Sequence, residues 1–345
     1  MRRLTAWGVG AALFLAIRPV TVGAPSTGGV TQREATFQQY SVFSSNALLV
    51  QRLFSPLAAQ KIEREVSGSG KTLAGQPVDL AKERFLIYVP PEPATHRYAL
   101  LVFVPPWQEA RLPSGWVAAL DRQGVIFVTA ARSGNDEPAL ERREPLALLA
   151  ATNVMSQYPI DPERVYVAGF SGGSRIALRL ALGYPDLFRG ALLNAGSDPI
   201  GNKGAPIPSK ELFLKFQEST RLVYVTGERD TAHAADDMLS MRSMHQWCVF
   251  NVENYIEPRV GHEVADGAFL SQALIYLLSG TTRNAERLPG CRSKLDAEVT
   301  AQLRSVRELF AGGRRADAAE LLARADEQFG GLAAPQSIVL SAGLR

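Results

Sequence analysis

The sequence predicts an α/β fold with a mostly parallel sheet flanked by helices. The composition is that of a globular protein, with 46% hydrophobic and 21% charged residues among 345. Short β-rich runs alternate with helical stretches along most of the chain. These runs are almost continuously apolar, which is typical of strands buried on both faces. Strand–helix alternation of this kind indicates parallel strands joined by right-handed crossovers.

Seven runs are predicted strands: 85–89, 98–104, 124–128, 164–168, 191–194, 222–225 and 251–256. Six helices are predicted between and after them: 112–122, 144–158, 172–183, 209–218, 234–246 and 264–279. The link between the first two strands is short and proline-rich, which favours a hairpin. Such a hairpin would make the sheet mixed.

The N-terminus has the pattern of an export signal. Residues 1–3 include two arginines, residues 4–17 are uncharged and mostly apolar, and residues 22–24 have small side chains. The apolar run is shorter than the roughly 20 residues that cross a membrane. We therefore predict a signal peptide over 1–24, a secreted or periplasmic protein, and no stable membrane insertion of the mature chain. An uncleaved N-terminal anchor is the alternative.

Three further regions follow the signal. Residues 25–82 form an N-terminal lead-in with helices, and the Gly-, Ser- and Thr-rich part at 25–35 is expected to be flexible. Apolar residues at helical spacing over 44–64 predict one or two helices, with a break near Pro56. The main α/β domain is predicted over 83–280.

Residues 281–345 are predicted to be a short helical C-terminal extension. Two helices, 292–311 and 315–329, are expected around the turn at Gly312 and Gly313. One helix–turn–helix unit cannot bury its own apolar face. The extension must therefore pack on the main domain as a cap, or contact a partner protein.

Charge and cysteine content exclude several classes of protein. The chain has 37 basic and 34 acidic residues, and three of the arginines lie in the predicted signal. The rest is balanced and has no basic stripe, so we expect no nucleic-acid partner. Two cysteines, Cys248 and Cys291, are too few for a disulfide framework or a multi-cysteine metal centre. In an exported chain they could form one disulfide or stay unpaired.

The strongest candidate for a catalytic motif is the segment Gly169-Phe170-Ser171-Gly172-Gly173. It has the G-x-S-x-G pattern, with a predicted strand before it and a predicted helix after it. That context is the one in which a serine sits in a sharp turn with its hydroxyl exposed as a nucleophile. A glycine-rich strand–helix loop without chemistry is the alternative.

A serine nucleophile needs a base, and chain order selects it among four histidines. In such proteins the order is serine, acid, histidine. His96 comes too early, and His245 lies within a predicted helix among apolar residues, which indicates a structural role. His262 follows the last predicted strand and is the predicted base, with His233 as the fallback.

Asp230 is the predicted acid, because it lies on the loop after the penultimate predicted strand. There it would accept the Nδ1 proton of the base and stabilise the imidazolium. Asp198, which follows the preceding strand, is the competitor.

Acyl transfer also needs backbone donors for the oxyanion. Gly172 supplies one, directly after the nucleophile. The loop after strand 98–104 should supply the other, but Pro105 and Pro106 have no N–H. Trp107 is therefore the predicted second donor, with an indole that forms an aromatic wall; a buried core indole is the alternative.

With these residues assembled, the chain resembles the α/β-hydrolase superfamily, and within it secreted esterases related to polyhydroxybutyrate depolymerases and feruloyl esterases. The resemblance is densest in DPERVYVAGFSGG at 161–173 and YPDLF at 184–188. It implies hydrolysis of small-molecule or polymeric carboxylic esters through an acyl-enzyme on Ser171, without metal or cofactor. Pro105 and Pro106 stand where the family usually has His-Gly. A serine peptidase of the same fold and a non-catalytic binding protein are the alternatives.

Overall fold

One sheet organises the molecule. A computed structural model describes residues 31–91, 97–280 and 285–344. In these residues eight strands form a single sheet of order β1-β2-β4-β3-β5-β6-β7-β8. The strands are β1 (Thr31–Ala35), β2 (Phe85–Val89), β3 (Tyr98–Val104), β4 (Val125–Ala130), β5 (Ile160–Phe170), β6 (Gly190–Asn194), β7 (Arg221–Gly227) and β8 (Val252–Glu257). From β4 to β8 all neighbours are parallel, while β2 is antiparallel to both β1 and β4. The predicted fold class is confirmed.

Helices cover both faces of the sheet. Those of the main part are α1 (Asn46–Leu53), α2 (Pro56–Gly68), α3 (Val117–Gln123), α4 (Glu144–Gln157), α5 (Gly172–Gly183), α6 (Lys210–Ser219), α7 (Thr231–Gln246) and α8 (Gly267–Leu278). Pro56 is the first residue of α2, where its missing N–H costs no hydrogen bond, so the predicted break between two helices is confirmed. Among the described residues, no helix is both long and apolar enough to cross a membrane.

The central strands are apolar throughout because each of their faces enters a different core. In β3, Leu100 and Val102 belong to the cluster that contains α4 and α5, and Leu101 and Phe103 belong to the cluster beneath α3 and α8. All four side chains are at most 2% exposed. This two-sided burial accounts for the unbroken apolar runs of the sequence.

Two local expectations are wrong. Residues 31–35 are not part of a flexible lead-in: they form β1, an edge strand that pairs with β2 in register Thr31–Val89 to Ala35–Phe85. The segments 85–89 and 98–104 do not form a hairpin, because β4 lies between them in the sheet. Hydrogen bonding to β4 satisfies β2 on its inner edge, and β1 covers the outer edge.

The C-terminal extension packs on the main part of the chain. It comprises α9 (Leu288–Ala311), α10 (Arg315–Phe329) and α11 (Gln336–Leu344), the last of which was not predicted. A disulfide joins Cys248, which follows α7, to Cys291 in the first turn of α9. The apolar faces of α9 and α10 belong to the same core cluster as α6. A partner protein for these helices and the domain boundaries stay predictions, and the predicted signal peptide lies outside the described residues.

Candidate active site

Ser171 lies in a tight turn between β5 and α5. Its backbone has φ 56° and ψ −125°, a left-handed region that side chains rarely adopt. The glycines on either side of Ser171 allow the backbone of the turn to lie close to neighbouring backbone atoms. A Cβ on Gly169 would lie 2.0 Å from the carbonyl oxygen of Gly173, and one on Gly173 would lie 1.9 Å from that of Val104. The two outer glycines of the motif are therefore required by backbone packing.

Asp230 follows β7 and occupies the N-cap position of α7. Its side chain is only 7% exposed. The loop that carries it meets the loop after β8, where Arg229 donates its backbone N–H to Val260 at 2.8 Å. Gly227 permits this contact, because a Cβ there would lie 2.3 Å from the carbonyl oxygen of Gly261.

His262 bridges the other two predicted site residues. Its Nδ1 lies 2.6 Å from Asp230 Oδ2, and its Nε2 lies 3.0 Å from Ser171 Oγ. An ionised carboxylate can only accept, so Nδ1 carries the proton and Nε2 accepts from the serine hydroxyl. The structure thus brings Ser171, His262 and Asp230 into one hydrogen-bonded chain, in the arrangement that activates a serine.

His233 is also bound to Asp230. Its Nδ1 lies 2.7 Å from Asp230 Oδ1, and its ring stacks on that of His262 with centroids 4.0 Å apart and an interplanar angle of 16°. The sequence offered His233 as the fallback for the base. In the structure His233 binds Asp230, and it is His262 that faces the serine. Each oxygen of Asp230 accepts from one imidazole.

The two imidazoles control the ionisation of Asp230. Burial alone would raise the pKa of this carboxyl, but the hydrogen bonds from His233 and His262 outweigh burial and lower its pKa below the ordinary value. The carboxylate is thus ionised throughout the neutral range and can only accept hydrogen bonds from its neighbours.

Asn194, at the end of β6, connects the serine turn, strand β7 and the loop of His262, and no sequence signal pointed to it. Its backbone carbonyl accepts from the N–H of Ser171 at 2.9 Å. Its side-chain amide donates to the carbonyl of Val225 at 2.8 Å and accepts from the N–H of Ala265 at 2.7 Å. The side chain is buried, so these bonds fix the serine turn, β7 and the loop of His262 relative to one another.

Of the predicted oxyanion residues, Gly172 directly follows the serine and Trp107 packs against Phe170. Gly172 is the first residue of α5, and a Cβ on it would lie 2.2 Å from Oδ1 of Asn135. The indole of Trp107 packs against Phe170, with ring centroids 6.2 Å apart, and Phe170 lies 4.8 Å from the ring of His262. Trp107 is therefore at the edge of the site, and the donor roles of Gly172 and Trp107 stay predictions.

The other sequence candidates lie elsewhere. Asp198 accepts a hydrogen bond from Nε of Arg175 at 3.0 Å, and Asp236 pairs with the same arginine at 3.3 Å. His245 is exposed on α7, with its ring 6.0 Å from that of Phe250. His96 lies outside the described residues.

The same cluster contains groups that a metal ion could use. The donor atoms of Asp230, His233 and His262 lie within 4.8 Å of one another. Both Nδ1 atoms already donate to the carboxylate, at distances normal for hydrogen bonds. This arrangement favours proton transfer over metal binding, and hydrolysis without a metal or cofactor stays an expectation.

The fold and the order of these residues define the class of the protein. A serine in a tight turn after β5, an aspartate after β7 and a histidine after β8, on a sheet of order β1-β2-β4-β3-β5-β6-β7-β8, are the arrangement of the α/β-hydrolase fold.

Comparison with known proteins finds esterases. The chain is 34% identical over 102 residues to the esterase-named NocK of Nocardia uniformis subsp. tsuyamanensis. It is 32% identical over 98 residues to a poly(3-hydroxybutyrate) depolymerase of Ralstonia pickettii. These matches cover 27% and 24% of this chain and only 30% and 20% of the relatives. No protein-family model matches.

Solved structures with a similar fold include two esterases. A ferulic acid esterase has a TM-score of 0.45 at 15% identity, over 58% of this chain and 93% of its own. An acetyl xylan esterase from Aspergillus awamori has a TM-score of 0.43 at 14% identity, over 56% of this chain and 94% of its own.

Proposed function

We propose that the protein is a serine hydrolase that cleaves carboxylic esters through an acyl-enzyme on Ser171. The observation that carries this proposal is the hydrogen-bonded chain from Ser171 Oγ through His262 to Asp230. A serine hydroxyl is a weak nucleophile on its own and gains reactivity when a base is positioned to take its proton. The names of the two relatives, an esterase and a poly(3-hydroxybutyrate) depolymerase, support the ester as the substrate class.

The geometry supports a two-step reaction. Ser171 Oγ attacks the ester carbonyl carbon while its proton moves to Nε2 of His262, and Asp230 stabilises the imidazolium that forms. The negative oxygen of the tetrahedral intermediate accepts from the backbone N–H groups of Gly172 and Trp107. The carbon–oxygen bond to the alcohol then breaks, and the His262 proton goes to the leaving oxygen. Water repeats the sequence on the acyl-enzyme, releases the acid and restores the serine.

We propose small-molecule and polymeric esters as the substrates of this site. Ser171 is partly exposed at the C-terminal edge of the sheet, and Phe170, the residue before it, packs against the ring of Trp107. The depolymerase among the relatives supports testing a polyester beside short-chain esters.

We also propose that the protein works in an oxidising compartment, secreted or periplasmic. The disulfide between Cys248 and Cys291 supports this location, because such bonds persist in oxidising environments and are rare in the cytosol. The charged and apolar pattern of residues 1–24 supports it independently.

A fluorophosphonate label tests the activated serine directly. We expect the parent protein to be labelled and to hydrolyse p-nitrophenyl acetate, and Ser171→Ala to lose both, with kcat lower by about 10⁴–10⁶. His245→Ala, at an exposed histidine, is the matched control and should keep both. An amide analogue cleaved faster than the ester would indicate a peptidase, and an unlabelled, folded parent would indicate a binding protein.

A further inference from the structure

The mechanism leaves one imidazole of the site without a role. His233 donates to Oδ1 of Asp230 at 2.7 Å, while His262 donates to Oδ2 at 2.6 Å. The side chain of His233 is 26% exposed and that of Asp230 is 7% exposed. The acid of the site therefore carries two histidines, of which only one reaches the serine.

Helix geometry and a glycine place His233 in this position. Asp230 is the N-cap of α7 and His233 is three residues later, so the two side chains share the first turn. On its other face the ring lies against Gly196, which has φ +103° and whose Cβ would come 2.5 Å from Cδ2 of His233. The ring is thus held between the Gly196 backbone and the ring of His262.

The carboxylate depends on this second donor. An N-cap aspartate commonly accepts from the backbone of its own helix, but the side chain of Asp230 makes no such bond. Among the described residues, the two imidazoles are the partners recorded for its oxygens. Removing His233 would leave Oδ1 buried and unsatisfied, and the carboxylate could then rotate away from His262.

We propose that His233 is a positioning residue that holds Asp230 in the orientation that receives Nδ1 of His262. This inference rests on the proposed esterase function. The effect is largest in the transition state, when His262 carries the proton and needs the carboxylate in place. Loss of the bond should therefore lower kcat more than it changes KM.

Two substitutions separate the hydrogen bond from the stacked ring. His233→Asn places an amide N–H where Nδ1 stands and removes the ring, while His233→Phe keeps a ring and removes the donor. We expect the phenylalanine variant to lose about tenfold to hundredfold in kcat, the range for one buried hydrogen bond to a charged group, with KM near the parent value. The asparagine variant should keep most of the parent kcat.

His245→Asn is the matched control, because it changes an exposed histidine on the same helix. It should leave kcat unchanged. A folded phenylalanine variant with parent kcat, or equal losses in the asparagine and phenylalanine variants, would overturn the positioning role.

Proton NMR gives a readout that does not depend on turnover. Two imidazole N–H groups bonded to one carboxylate should give two downfield resonances in the parent. His233→Phe should remove one and shift the other, which belongs to His262, and His233→Asn should shift that second resonance less. An unshifted His262 resonance in the phenylalanine variant would contradict the inference even if the parent hydrolysed no ester, whereas failure of Ser171 labelling would contradict the proposed function alone.

Discussion

Breaking the disulfide should cost stability but not activity. Cys248 and Cys291 are 43 residues apart in sequence. The chain-entropy relation for a cross-link of that separation gives about 4 kcal/mol of stabilisation at 25 °C, mainly through the unfolded state. At the average unfolding entropy per residue, a loss of this size lowers Tm by roughly 6 °C when about 300 residues unfold.

Cys291→Ser is the cleaner of the two possible substitutions. Cys248 is fully buried and has φ 62°, so replacing it also disturbs the core, while Cys291 is partly exposed. The extension should stay attached in this variant, because Leu295, Val299 and Leu303 are still buried and Arg292 still donates to Gln217 and Glu218 on α6.

The measurement is urea unfolding followed by circular dichroism, with ester hydrolysis at 25 °C in parallel. Cys291→Ser, kept in reductant, should unfold like the reduced parent and well below the oxidised parent. Lys294→Ser, an exposed change one turn along α9, should match the oxidised parent. A decrease of less than about 1 kcal/mol in the free energy of unfolding would refute the entropic reasoning. A fall in kcat/KM of the folded variant would refute the expectation that the extension does not affect the site.

Three further outcomes test the site. Asp230→Asn should stay folded and lose about 10⁴ in kcat through the wrong His262 tautomer, whereas Asp198→Asn should lose far less; the reverse ranking would move the acid. Trp107→Ala keeps its backbone N–H and should alter mainly KM, while Trp107→Pro should lose roughly 10²–10³ in kcat, and equal losses in both folded variants would assign the effect to the indole. Burial raises the pKa of Asp237 to about 6. Between about pH 4 and about pH 6 the carboxyl of Asp237 is protonated in the folded state and ionised in the unfolded state. The contribution of Asp237 to the free energy of unfolding should therefore fall as pH rises through this interval. In Asp237→Asn, denaturant titrations should show a free energy of unfolding that depends less steeply on pH over that interval. A pH dependence identical to that of the parent would contradict the burial of this acid.

The strands could be predicted where both faces are buried. The runs 85–89 and 98–104 match β2 and β3 to the residue, because both are apolar and almost wholly buried and a proline follows each of them. β1 carries Gln32, Arg33 and Glu34, all exposed, and as an edge strand it needs no apolar pattern. Its pairing with β2, like the insertion of β4 beside β2, is decided by tertiary contacts that no local pattern contains.

The part of the site that could be predicted is the part set by the order of residues along the chain and by their positions at the ends of strands. A nucleophile turn, an acid after the penultimate strand and a histidine after the last strand meet at one edge because parallel strands end there together. Asn194 carries no motif, since its role depends on hydrogen bonds to Val225 in β7 and to Ala265 in the loop after β8. The disulfide stayed open for the same reason: sequence does not show that the end of α7 meets the start of α9.

The positions of the three reacting side chains depend on backbone contacts between loops. Gly173 brings the serine turn against β3, and Gly227 brings the Asp230 loop against the loop of His262. The bonds of Asn194 then connect the serine turn to β7, which precedes the Asp230 loop, and to the loop of His262. None of these contacts involves a residue of the C-terminal extension. The extension is therefore expected to affect stability through its disulfide and buried helix faces, and the chemistry to respond to changes at the sheet edge.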